Sequence, residues 1–213
     1  MKVLVISDVH GNLPALEIVL KKERDWDLCI SLGDVVNYGP WSNECVDLLE
    51  SLNNKVLLKG NHETYFLTKE YENKKAVSYD FFKFCLPTFN RFKEIAAYHE
   101  SYKLESFNFI HTLNNDYIFP DTELRLNHNT FLGHSHRAFN RVIDGFMLVN
   151  PGSVGQNRAF INEINYAILW PETKQVELKS ISYDVDQIIQ KFKELNYPEK
   201  CISYYADKKR SNE

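Results

Sequence analysis

Apolar residues in this chain gather into short unbroken runs that stop abruptly at polar ones. The runs at 3–6, 28–32, 55–59, 107–110 and 129–132 are rich in aliphatic, β-branched or aromatic residues and too short for helices. They predict strands, the first of them buried on both faces. Between the first three runs the period changes. Residues 13–22 are amphipathic with helical spacing, Asn12 stands where a cap is needed and Pro14 falls in the first turn. After a turn at Asn37-Tyr38-Gly39-Pro40, residues 42–49 read as the next helix. Strands alternating with helices predict a largely parallel sheet with right-handed crossovers.

From 64 to 102 the pattern turns helical and aromatic, with Leu86-Pro87 dividing it into two helical parts and His99 inside the second. Such a segment is either an aromatic-packed part of the core or a cap over a neighbouring site. The remainder is strand-rich: 146–149, 164–170 and 176–182 join the runs already named, and the last two form a hairpin across Pro171-Glu172-Thr173-Lys174. Asp184 caps a final helix reaching about residue 195, and fraying is expected past Ser203.

Composition narrows the class. With 213 residues, 44% hydrophobic and 14% aromatic, the chain has the material for one folded domain spanning 1–213. No apolar stretch is long enough to cross a bilayer, and the start lacks the zones of a signal peptide. A cytoplasmic location is the expectation. Cys29, Cys45, Cys85 and Cys201 are widely spaced and read as buried free thiols. A net charge of −4, with one short basic run at Lys208-Lys209-Arg210, argues against an extended nucleic-acid surface. A small phosphorylated substrate stays compatible, because bound dications add positive charge. Neither composition nor pattern fixes the oligomeric state.

The chemistry lies where the strands end. Asp8 and His10 follow the first run, Asp34 the second, Asn61 and His62 the third, His111 the fourth, and His134 and His136 the fifth, so five of the seven histidines stand at strand ends. Glycines precede Asp34, Asn61 and His134 and allow close backbone approach. Two metal ions about 3.5 to 4 Å apart need a bridging carboxylate and about three further ligands each. This inventory supplies them, and imidazole, carboxylate and amide without thiolate favours Mn, Fe, Co, Ni or Zn over Mg or Ca. Singly, Asp8 and Asp34 would be read as turn residues.

In order along the chain stand Asp-x-His, Gly-Asp, Gly-Asn-His-Glu, a lone His and Gly-His-x-His. That series resembles the calcineurin-like metallophosphoesterase superfamily over roughly residues 1–158. Asn37-Tyr38-Gly39-Pro40 with Asn43-Glu44-Cys45-Val46, and Asn150-Pro151-Gly152-Ser153-Val154-Gly155-Gln156, are similar to its small bacterial and archaeal phosphoesterases, phosphodiesterase-like members included. The resemblance implies an α+β fold of α/β-type layering, a two-sheet β-sandwich flanked by helices in four layers. It implies one metal on Asp8, His10, Asp34 and His136, and a second on Asp34, Asn61, His111 and His134. Asp34 would bridge two divalent transition-metal ions, Mn first among them, and His62 would serve as general acid or as a donor to the phosphoryl oxygens. The activity implied is hydrolysis of a phosphate ester, phosphodiester favoured, by in-line attack of a bridging hydroxide. A monoesterase or protein phosphatase of the superfamily is the alternative, although Asn37 and Tyr38 stand where the protein phosphatases carry Asp and Arg. Members that lost ligands serve as interaction scaffolds; here every ligand position is filled. Arg158 reaches either a substrate phosphate or a neighbouring acid, and 152–155 reads as a turn behind His134 and His136.

Overall fold

The first strand, β1 (Val3–Ile6), is buried at every residue, and its two faces serve different layers of the computed structural model, which describes residues 1–211. Val3 and Val5 meet Ile30, Leu32, Phe107, Phe109, Phe131, Val149, Ala167 and Leu169 in one core. Leu4 and Ile6 belong to a larger core with Leu16, Val19, Val46 and Leu49. A side-chain period of two makes a uniformly apolar run the signature of a strand with packing on both sides.

Beside β1 lie β2 (Leu28–Ser31) and then β3 (Lys55–Leu57), both parallel to it. On its other side β9 (Glu163–Trp170) pairs antiparallel and carries the edge strand β10 (Gln175–Ser182). The second sheet consists of β4 (Ser101–Leu104), β5 (Phe107–Ile110), β6 (Asn129–Phe131), β7 (Phe139–Ile143) and β8 (Phe146–Asn150), in spatial order β4-β5-β6-β8-β7. Its central strands β5, β6 and β8 are parallel. Both sheets are therefore mixed, where the helix alternation alone predicted a largely parallel one; the returning hairpin β9–β10 joins the first sheet antiparallel. The architecture is the expected α+β sandwich of two sheets flanked by helices. Among the described residues these are α1 (Leu13–Lys22), α2 (Ser42–Glu50), α3 (Asn61–Thr68), α4 (Val77–Cys85), α5 (Phe92–Ala96), α6 (Asp186–Glu194) and α7 (Glu199–Ala206). None of these helices is long and apolar enough to cross a membrane. Asn12 does cap α1, accepting from the Ala15 amide at 3.3 Å, and all four cysteines are free and buried.

Several local expectations change. The 64–102 segment holds three α-helices, a 3-10 turn at Leu86–Thr88 and the start of a strand in place of two helical parts, because α3 already starts at Asn61 and the polar stretch from Glu70 to Lys75 separates it from α4. His99 is not helical: its backbone bridges to Leu58, extending the line of β3. Asp184 lies one residue before the cap position; its carboxylate accepts from the Asp186 amide at 3.0 Å as α6 begins. Among the described residues the chain does not fray past Ser203; the part of that expectation on 212–213 lies outside them. Helix α7 buries Cys201, Ile202 and Tyr205, and Ile161 and Asn162 hold the backbone of Lys209 and Ser211. Pro198 stands at the N-cap of α7, and Pro at a helix N-terminus favours a start. Ile202→Ala is therefore expected to cost about 2 kcal/mol, read as a lowered urea midpoint; a frayed end would leave the midpoint unmoved.

Candidate metal centre

Parallel pairing brings the carboxyl ends of β1, β2 and β3 to one edge, and those of β5 and β6 arrive beside it, so loops from both sheets meet at one end of the sandwich. Hydrogen bonds between the loops continue the ladder: the amides of Asp8 and His10 donate to the carbonyls of Gly33 and Asp34 at 3.0 and 2.9 Å. Asp8, His10, Asp34, His134 and His136 all have positive φ, between 49° and 66°. For residues with a Cβ that conformation costs roughly 1–2 kcal/mol each, and five together mark a site where side-chain placement overrides backbone preference. Two glycines make room. A Cβ on Gly60 would collide with the Asp34 carboxylate, and one on Gly133 with the Ser7 hydroxyl.

All eight residues singled out at strand ends come together. Among the described residues three groups converge, Asp8 with His10 and His136, His10 with Asp34 and His62, and Asp34 with His111 and His134, each with ligand atoms within 4.8 Å of one another. Asn61 joins through its Oδ1, 3.1 Å from His111 Nε2. Every one of these histidines and both carboxylates are buried.

Three rings are set by backbone carbonyls. The Nδ1 atoms of His10, His111 and His136 face the carbonyls of Val36, Leu32 and Gln156 at 3.2, 3.0 and 2.7 Å. A carbonyl only accepts, so each Nδ1 carries hydrogen and a neutral ring turns a bare Nε2 inward. His10 Nε2 and His136 Nε2 then lie 3.2 Å apart, lone pair against lone pair. His136 Nε2 is also 3.2 Å from Asp8 Oδ1, a buried oxygen without a hydrogen-bond partner. Acceptors converging with no donor between them fit a cation, and hard carboxylate plus imidazole fits a divalent one.

Protonation follows burial and neighbours. Burial works to raise Asp8 and Asp34, yet the imidazoles around them, His136 and His111 foremost, hold both below the usual carboxylate range. Burial pushes His10 well below its ordinary value, and His62 and His134 each down to about 4. His111 differs: burial opposes its charge, but Asp34, 3.2 Å away, brings it up to about 9.

Glu63 had been noted only as the last letter of Gly-Asn-His-Glu. It is fully buried, and its carboxylate accepts from the amides of Asp34, Val35, Val36 and Gly60 at 2.8, 2.7, 3.2 and 2.7 Å. Burial, then the charge of Asp34, push it up to about 7. It clamps the Asp34 loop to the first turn of α3, and its place three residues after Gly60 is the capping-box position that could have revealed it. Asn37 places its Nδ2 2.8 Å from His62 Nδ1 and 3.2 Å from the Ser78 carbonyl; nothing in a spacing of 25 residues announces that pair. The 152–155 turn braces Asp8 more directly than the later histidines. Ser153 Oγ and the Gly155 amide both donate to the Asp8 carbonyl, and His136 is held by the next residue, Gln156. Arg158 meets no acid among the described residues: its guanidinium stands 5.2 Å over the Tyr117 ring.

Beside the centre opens a cleft of about 460 Å³ whose lining includes Asn61, His62, His111, His134, Tyr65, Tyr71 and Tyr117. The aromatic segment divides accordingly: Phe66, Phe81, Phe82 and Phe89 are core, while Tyr65 and Tyr71 face the cleft.

Comparison with known proteins gives the same picture. The family model described as calcineurin-like phosphoesterase matches residues 1–165. An uncharacterised protein of Methanocaldococcus jannaschii is 32% identical, with 92% of this chain and 94% of that protein aligned. Among solved structures, a metallophosphoesterase from Sphaerobacter thermophilus superposes with a TM-score of 0.75 at 24% identity, covering 97% and 99% of the two chains. A hypothetical protein from Pyrococcus horikoshii superposes with a TM-score of 0.73 at 16% identity, covering 96% and 97%.

Proposed function

Because the chain belongs to the calcineurin-like phosphoesterase family, we propose that it hydrolyses a phosphate ester, a phosphodiester by preference, at a centre of two divalent cations. The observation that carries this reading is the set of facing acceptors, His10 Nε2, His136 Nε2 and Asp8 Oδ1, which one divalent cation between them would satisfy together. Asp8, His10, Asp34 and His136 would hold one ion, and Asp34, Asn61, His111 and His134 the other. Such ions supply Lewis acidity to the phosphoryl group and make water acidic enough to react near neutral pH.

The chain's own residues do the rest. Asn37 donates to His62 Nδ1, so the hydrogen of that ring sits on Nε2, which lies 4.0 Å from Asp34 Oδ2. Burial keeps the ring neutral at pH 7. A neutral imidazole surrenders its last proton too reluctantly to be a general acid, so His62 donates a hydrogen bond to developing charge on a phosphoryl oxygen. Tyr65, Tyr71 and Tyr117 line a cleft with room for a second organic group on the ester, which supports a diester.

His62→Ala is expected to keep both metals and lose about 10²–10³-fold in kcat. The loss should be the same for aryl esters with good and poor leaving groups, whereas removing a general acid would hurt the poor ones more. Metal binding should also depend on pH. His111 holds its proton up to about pH 9 and must lose it to ligate, so affinity falls about tenfold per unit below that value and binding at pH 7 releases about one proton. Titration calorimetry in buffers of different ionisation enthalpy reads that proton directly.

The deciding experiment strips the metal, restores Mn and compares an aryl phosphodiester with the matching monoester. Metal-dependent turnover with the diester preferred is the expected result. Preference for the monoester would replace the diester reading, and no turnover with two metals bound would sink the hydrolase.

A further inference from the structure

Several cations of the C-terminal and helical segments find carboxylates. Arg91 pairs with Asp47, Lys200 with Asp80, and Arg210 with Asp186. Arg137, Arg158 and Lys208 meet no carboxylate among the described residues. The Arg158 guanidinium stands 5.2 Å over Tyr117, which is itself stacked on His134 at 4.1 Å. The Lys208 ammonium stands 4.4 Å over Tyr204, which stacks on Tyr38 at 6.0 Å, and Tyr38 packs edge-on against His10 at 4.7 Å. Arg137 follows His136 directly and is exposed. Two aromatic walls thus connect Arg158 to His134 and Lys208 to His10, on opposite sides of the candidate centre. Tyr204 is fixed in turn, its hydroxyl accepting from Gln156 Nε2 at 2.7 Å, and the Gln156 carbonyl holds His136.

Like charges gathered without counter-charge raise one another's free energy until an anion arrives. Lys208 registers this: burial first, then the charges of Arg158 and Arg137, push its ammonium down to about 8. Arg158 is half-buried and keeps its charge, and a guanidinium fork matches a phosphate with two parallel hydrogen bonds. Cation–π contact with Tyr117 and Tyr204 orients the two side chains without neutralising them.

We infer that Arg137, Arg158 and Lys208 form a second anion subsite beside the metal centre, which holds a phosphate other than the one cleaved. The substrate then carries at least two phosphates in a chain, as nucleoside polyphosphates do. This rests on the hydrolase reading above. Three positive charges suit a polyphosphate tail, and a net charge of −4 over the molecule makes the cluster a local exception that selects small polyanions over long nucleic acid. Lys208 lies just past the end of α7 and outside the stretch matched by the family model, residues 1–165, so this part of the subsite would come from beyond the metal-binding core.

The test is equilibrium binding of adenosine β,γ-methylene triphosphate and adenosine monophosphate to the Mn-loaded protein, in wild type, Arg158→Met and Lys208→Met. The two ligands share base, ribose and α-phosphate, so their ratio isolates the additional phosphates. Wild type should bind the triphosphate analogue at least about tenfold more tightly, and each variant should lose most of that advantage. Arg158→Lys should restore part of it. Both variants should hydrolyse a simple aryl diester at the wild-type rate, which also shows that they fold. An advantage that persists in both variants, or none in wild type, overturns the subsite. The expected binding pattern in a protein that hydrolyses no ester would instead sink the hydrolase reading and leave the subsite standing.

Discussion

Asp34→Ala is expected to strip the protein of both cations and to lower turnover by more than about a thousandfold. Asp34 is the one carboxylate that two ligand groups share: its Oδ2 lies 3.2 Å from His111 Nε2 and 3.9 Å from His10 Nε2. Removing it takes a negative charge from each ion at once, a larger loss than the roughly 10²–10³ for deleting a single charge-stabilising donor. Metal content by mass spectrometry should fall from two equivalents to none. Asp34 Oδ1 also accepts from the His62 amide at 2.9 Å, so Asp34→Asn is the companion variant, retaining the acceptor and the shape without the charge. If the Asn variant still holds two ions, Asp34 is not the bridge.

Glu63→Gln should be nearly as damaging through a different route. Four backbone amides converge on that buried carboxylate. A glutamine offers one acceptor oxygen and turns an NH2 group toward the remaining amides, so donors face donors where no water reaches. Breaking a buried charged network of this kind costs about 3–5 kcal/mol. The urea midpoint should fall by the corresponding amount. Both ends of the clamp carry ligands, Asp34 on one side and Asn61 on the other, so metal affinity should drop with stability. A variant with full stability and weakened metal binding would show that Glu63 only orients the loops. Unchanged values of both would show that the four hydrogen bonds do not matter.

The ligand inventory was legible because it obeys a local rule. Each residue lies within four positions of the end of an apolar run, and a buried strand fixes its own carboxyl end within a residue or so. Asp8, His10, Asp34, Asn61, His62, His111, His134 and His136 could therefore be picked out from where hydrophobicity stops. The same local reading failed at His99 and after Ser203. His99 takes its conformation from pairing with Leu58, and α7 is held by burial of Tyr205 against residues far back in the chain. Isolated eight-residue helices are marginal, so their sequences carry weak signals and packing decides them.

By itself, then, the sequence determined the strand ends, the donor chemistry gathered on them and the β1 faces that divide the core, because each follows from a period or a boundary within a few residues. Only the tertiary structure decided which donors meet. It set His10 Nε2 against His136 Nε2, closed Glu63 over two loops, tuned His62 through Asn37 and left Arg158 and Lys208 on aromatic rings without a counter-charge. The two histidine pairs join residues 25 and 126 apart in the chain. No local pattern encodes such a distance; it exists once two sheets have packed and their loops share one edge.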